Sequence, residues 1–134
     1  LAYKGEMFFN RTNSKELVGK TAVFREEMPM AFAGYLVKLI ANDRGNTEYI
    51  SAYLNSKHGK SVLLNKAKNI VGMANINAEE LKNIKINIPP VELQNTFADQ
   101  SHKIEAKKEE MIKSLQELED NFNALMQRAF KGDI

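Results

Sequence analysis

The sequence predicts an α+β chain, with a small mixed α/β domain over residues 1–90 and one long coiled-coil-forming helix over residues 91–134. Three observations point there. A seam at alternating spacings of four and three runs through Phe97, Ser101, Ile104, Lys108, Met111, Leu115, Leu118, Phe122, Leu125 and Ala129, and eight of these ten positions are apolar. A repeat of about 3.5 residues held over several heptads marks a helix that pairs with another helix. Pro89-Pro90 breaks the chain just before that helix. Ahead of the prolines, short β-rich stretches mix with segments of helical spacing, the pattern of an α+β domain.

Taken in order, Glu6–Asn10 reads as a short strand followed by the polar loop Arg11–Ser14, where Asn13 and Ser14 supply Asx-type turn chemistry. Lys20–Arg25 is the next strand candidate after Gly19. The apolar run Ala31–Ile40 is predicted as a central strand with Gly34 as a bulge. Asn42–Gly45 makes a turn, and Thr47 caps a helix carrying Ile50, Tyr53 and Leu54 at helical spacing. Lys57-His58-Gly59 should stop it, with a second short helix over Ser61–Lys68. Asn69 to Asn77 reads as a loop, and Asn77 caps a short turn at Ala78–Leu81. The alternation Ile84, Ile86, Ile88 predicts a last strand, ended by the two prolines. At about 1.5 Å per residue the final helix would reach roughly 60 Å, too long for so small a domain to cover. It asks for a partner helix.

Composition narrows the function classes. Among 134 residues, hydrophobic content of 43% and charged content of 27% are those of an ordinary globular chain. No cysteine is present, which excludes disulfides and thiolate metal sites and makes a reducing cytoplasm the simplest location. His58 and His102 are far apart and in no metal-ligand spacing. No apolar run is long enough for a membrane span. A chain opening on Leu1-Ala2-Tyr3 reads as a piece of something longer. The net charge of +2 conceals an asymmetry: residues 1–90 hold thirteen basic against eight acidic residues, and residues 91–134 hold six against nine. Contact with a polyanion therefore belongs to the first ninety residues.

Catalytic constellations are missing: there is no phosphate-binding Gly-rich loop, no Gly-x-Ser-x-Gly and no His-Glu-x-x-His, and the paired glutamates are adjacent residues that point apart. No catalytic residue, metal or cofactor is expected. The basic stretch carries more. From Tyr49 to Ala78 there is no acidic residue, while Lys57, His58, Lys60, Lys66 and Lys68 fall within it and Asn55, Asn65, Asn69 and Asn75 are interleaved. Lysine grips phosphate by charge and asparagine pairs with adenine edges, so this composition suits double-stranded DNA. A solvated basic surface is the plainer alternative. The expected DNA-binding set is Arg11, Asn13, Lys57, Lys60, Lys66, Lys68, Asn69 and Asn75. The expected helix-pairing set is Phe97, Ile104, Met111, Leu115, Leu118, Phe122 and Leu125.

Certain segments resemble the DNA-specificity subunit of type I restriction–modification systems. Phe8-Phe9-Asn10-Arg11-Thr12-Asn13-Ser14, then Leu17-Val18-Gly19-Lys20-Thr21-Ala22, looks like the middle of one of its target-recognition domains. Asn75-Ile76-Asn77, Leu81, and Ile84 through Ile88-Pro89-Pro90 with Glu92 and Gln94, resemble the junction between that domain and its long helix. Leu125 to Asp133 is similar to the end of the helix. The order and spacing of these pieces make the resemblance specific, and it spans nearly the whole chain.

The resemblance implies part of an α+β target-recognition domain followed by a spacer helix. In a full subunit two such units occur, each domain reads half of a split DNA site, and the two helices pair antiparallel. It also implies methyltransferase (modification) subunits docked on the helices, a motor–nuclease (restriction) subunit joining indirectly, and no catalysis by this subunit. The present sequence matches about the second half of one domain plus one helix, as either a fragment or a half-length subunit acting as a homodimer. Ser101 and Lys108 in the seam would favour one register at some cost in stability. Two other readings stay open: a coiled-coil scaffold whose basic domain binds a protein, and a small enzyme without a recognisable site.

Overall fold

The computed structural model describes residues 1–13, 17, 19–66, 68–70 and 73–133, with the side chains of residues 12, 13, 66, 68–70 and 73–75 outside that description. The chain divides into two compact units, Leu1–Ala98 and Asp99–Ile134. The architecture is α+β: small antiparallel sheets with helices, and one long C-terminal helix.

Strand β1 (Met7–Asn10) is the centre of the first sheet, flanked by β3 (Thr21–Val23) and β4 (Leu36–Leu39), both antiparallel to it. The run Ala31–Ile40 therefore forms an edge strand, not the predicted central one. Its first half leaves the ladder: Phe32 covers Phe8 at a centroid distance of 4.7 Å, closing the outer face of β1. The inner face carries the core, where Met7 and Phe9 meet Leu54, Leu63, Ile76 and Leu81, with Val37, Leu39, Ile84 and Ile86 packed against them.

Helix α1 (Thr47–Asn55) is capped by Asn46 and not by Thr47, because the Asn46 side chain sits in extended backbone and accepts from the N–H of Glu48 and Tyr49. Asparagine outranks threonine in that role. Lys57-His58-Gly59 does not end the helical region; it is the first turn of α2 (Lys57–Lys66). The break falls one residue earlier, at Ser56, whose extended backbone ends α1. Its hydroxyl donates to the Tyr53 carbonyl at 2.6 Å and accepts from the Gly59 N–H at 3.1 Å.

The segment read as a loop after Asn69 holds β5 (Lys68–Ile70) and β6 (Met73–Asn75), and the Arg11–Ser14 loop contains β2 (Thr12–Asn13). Together they form a second sheet in the order β2-β6-β5. Helix α3 (Ala78–Lys82) opens on a full capping box between Asn77 and Glu80. The predicted strand at Ile84–Ile88 pairs with no strand among the described residues. Its alternation still has a physical meaning, since Ile84 and Ile86 are half-buried on the core while Ile88 is exposed.

Helix α4 runs unbroken from Val91 to Lys131. Its first two turns belong to the first unit. Gln94 is 0% exposed there and makes three side-chain hydrogen bonds to backbone: it accepts from Asn46 N–H at 2.9 Å and donates to the carbonyls of Arg44 (3.0 Å) and Pro89 (2.7 Å). A buried amide without partners costs about 1–3 kcal/mol, so these bonds are what makes glutamine tolerable at the position. No helix of the described residues is long and apolar enough to cross a membrane.

Candidate nucleic-acid interface

The basic region is built on the tight packing of α1 and α2. At Gly59 an added Cβ would lie 2.1 Å from the Tyr53 carbonyl oxygen, so only glycine lets the first turn of α2 rest on the end of α1. The junction is then tied to the first sheet. Asn55 accepts from the Thr21 N–H at 3.0 Å and donates to the Thr21 carbonyl at 2.8 Å, completing the free edge of β3 as a neighbouring strand would. The Thr21 hydroxyl lies 2.9 Å from Ser51 Oγ in the buried interior of the same contact. Asn55, Lys57, Lys60, Ser61, Leu64 and Asn65 line one surface concavity on this framework.

The second sheet gathers the other nominated positions. Thr12 stands opposite Asn75, and Asn75 opposite Lys68; Asn13 stands opposite Ala74, and Ala74 opposite Asn69. Residues more than fifty apart in sequence are thus brought into one small sheet. The Ile76 N–H donates to the Arg11 carbonyl at 3.0 Å, and Ile76 itself is fully buried, which anchors this sheet to the core. The Gly19 N–H donates to the Asn10 carbonyl at 2.8 Å. Gly19 adopts φ +78°, and an added Cβ would meet Leu63 of α2 at 2.7 Å, so Gly19 itself rests directly on the basic helix.

Of the nominated DNA-binding residues, Arg11 and Lys57 are exposed and Lys60 is half-buried. The side chains of Asn13, Lys66, Lys68, Asn69 and Asn75 lie outside the described residues, as does Ser14 of the predicted loop. Charge is distributed unevenly. Arg25 is held by Glu48 through two bonds of 2.9 and 2.7 Å, Lys38 by Glu6 at 3.0 Å, Lys82 by Glu79, and Lys4 by Glu27. Among the described residues, Arg11 and Lys57 have no such carboxylate partner. Lys20, Arg44 and Lys85 likewise have none, so unpaired cations also lie outside the basic region.

On the second unit the nominated seam is exposed along its length, from Ile104 (66%) through Met111, Leu115, Leu118 and Phe122 to Leu125. Phe97, at the end of the first unit, differs, being 39% exposed and in edge-on contact with Tyr49 of the same unit at 5.7 Å. The reading of the sequence missed Ile112, Met126 and Phe130, which widen the apolar stripe beyond the ten seam positions. The structural parts played by Asn46, Asn55 and Gly59 were not anticipated either.

Comparison with known proteins decides the affiliation. The family described as the type I restriction modification DNA specificity domain matches residues 8–120, which takes in both sheets, the basic helices and most of α4. The chain belongs to this family. A putative type I restriction enzyme MjaX specificity subunit from Methanocaldococcus jannaschii is 29% identical over 96 residues, covering 70% of this chain. The chain spans 23% of that relative's length. Within the type I specificity family, then, the match extends across the junction at Pro89-Pro90 and into the helix, so the domain and the seam are parts of one family unit.

Proposed function

We propose that this chain reads one part of a split DNA target for a type I restriction–modification enzyme, as a fragment or half of its specificity subunit. The match of the specificity-domain family over residues 8–120 carries this reading. The acid-free basic stretch from Tyr49 to Ala78 and the exposed cations Arg11 and Lys57 support it physically. In this reading Lys57, Lys60, Lys66 and Lys68 grip phosphates, while Arg11, Asn13, Asn69 and Asn75 address base edges. The exposed seam of α4 pairs with a second helix, in the same subunit or a homodimer, and the pair holds the gap between half-sites. Methyltransferase subunits dock on that pair and supply the methyl transfer; the motor–nuclease subunit joins through them. This chain contributes recognition and spacing.

The test is the affinity of the full-length subunit, assembled with its methyltransferase partner, for duplex DNA over a range of salt concentrations. Log affinity should fall linearly with log salt, by about 0.9 for each phosphate neutralised. Methylation should be confined to one two-part sequence. Affinity indifferent to salt, or turnover by the specificity subunit alone, would overturn the proposal.

A further inference from the structure

Helix α2 has one face committed to the fold and one turned outward. Leu63 is 1% exposed in the core and Gly59 rests on the end of α1, so rolling the helix would withdraw both from their contacts. At 3.6 residues per turn, Lys57, Lys60, Ser61, Leu64 and Asn65 fall on the other side, within about 140° of arc. Asparagines elsewhere on this unit are occupied by the fold. Asn46 caps α1, Asn55 pairs with Thr21, Asn77 caps α3, and Asn83 donates to the Glu79 carbonyl. Asn65 differs. It is exposed, as is Ser61, and neither side chain makes a hydrogen bond among the described residues. Beside them Leu64 is 46% exposed, an apolar side chain set in a polar, basic face.

We propose that α2 lies in the major groove and reads bases directly: Asn65 an adenine edge, Leu64 the methyl group of a nearby thymine, and Ser61 a neighbouring edge. This rests on the reading under Proposed function and adds three base-reading residues to it. Charge selects the occupant. None of the six residues lining the concavity on this face is acidic, and two are lysines. Lys57 and Lys60 stand in the first turn, at the positive end of the helix dipole, where acidic residues would favour the helix. That placement works against the isolated helix and in favour of a polyanion. Size agrees, since ten residues make a helix about 15 Å long and a major groove about 12 Å wide admits one. So does the chemistry. An asparagine amide bonds N6 and N7 of adenine together, a hydroxyl suits a donor or an acceptor, and an apolar side chain tells thymine by its methyl. Ser61 and Asn65 are separated by about 6 Å along the axis, close to two base-pair steps of about 3.4 Å. The bases read therefore fall within one short run.

The experiment uses the complete subunit assembled with its methyltransferase subunits, and duplexes carrying its target with one base pair changed at a time. Affinity is measured for each duplex at one salt concentration. Asn65→Ala should lose about tenfold to a hundredfold of discrimination at one adenine–thymine pair and keep it elsewhere. Leu64→Ala should relax preference at a thymine within roughly three pairs of that adenine. Replacing that thymine by uracil removes only the methyl group. It should weaken binding by the wild type several-fold and by Leu64→Ala no further. The uracil duplexes need no altered protein, so they decide the matter should a variant fail to fold. Lys57→Ala should weaken every duplex alike. Folded variants that keep the wild-type preference at every pair, or a wild type indifferent to uracil at every thymine, would overturn the proposal. A wild type that binds all duplexes equally would instead overturn the reading beneath it, so the two failures are distinguishable.

Discussion

Gly59→Ala should loosen the unit that carries the basic helices. The new Cβ would stand 2.1 Å from the Tyr53 carbonyl oxygen, 2.8 Å from Leu54 Cα and 3.0 Å from the Leu54 carbonyl oxygen. All three are backbone atoms, so no flexible side chain can swing aside. Carbon–oxygen contacts settle near 3.3 Å or beyond, so the first turn of α2 must retreat by about 1 Å. Leu63, on the same helix, is buried in the core, and the retreat draws it out of register there. Overpacking of this kind costs about 1–3 kcal/mol, against a helix-propensity gain of at most about 1 kcal/mol for alanine over glycine. The net loss is about 1–2 kcal/mol, or roughly 5–15 °C in Tm for a unit of this size. All four tyrosines lie in the first unit and there is no tryptophan, so tyrosine fluorescence reports its unfolding without interference from the rest of α4. Gly34→Ala is the control, because a Cβ there meets nothing within 4 Å. It should be neutral or slightly stabilising. A Gly59→Ala protein as stable as the Gly34→Ala control would refute the close-packing argument.

Three further outcomes are expected. The Glu6 carboxyl is held below its ordinary value of 4.5, chiefly by the backbone N–H of Tyr3, with burial opposing and Lys38 assisting. A lowered folded value contributes stability that is present above pH 4.5 and lost as pH falls through the folded value, so Glu6→Gln should flatten the acid limb of denaturation midpoints measured against pH. Lys57→Ala should weaken binding to all duplex sequences alike and reduce the salt slope by about one, as measured by anisotropy titrations at several salt concentrations. Leu115→Asp with Leu118→Asp should abolish association through α4 in sedimentation or light scattering, since burying each unpaired charge costs several kcal/mol; an unchanged association state would reject the seam as the pairing face.

Some of this architecture is written in residue identities and some is not. The long helix was legible because heptad spacing is local and repeats from Phe97 to Ala129. The capping turn at Asn77 was legible for the same reason, its Glu80 lying three residues away. The second sheet was not. Its strands are two or three residues long, and the pairing of Thr12 with Asn75 is a long-range event with no apolar alternation to announce it. Ala31–Ile40 was misread because an apolar run does not say whether its residues face a neighbouring strand or cover a sheet, and Phe32 does the second.

The residues missed or misread share a physical property: their decisive contacts are with another segment's backbone. Gly59 approaches the Tyr53 carbonyl, Asn55 pairs with both backbone groups of Thr21, and Gln94 gathers the amides of Arg44, Asn46 and Pro89. A backbone amide is the same whatever residue carries it, so neither the charge pattern nor the hydrophobic period records such a joint. Charge and periodicity instead record what faces solvent or an external partner, which is why Lys57 and the α4 seam could be nominated from sequence. The division follows function. The surfaces proposed to meet DNA and a partner helix lie in side-chain chemistry, whereas the contacts that hold the first unit together lie in backbone geometry and emerge only with the fold.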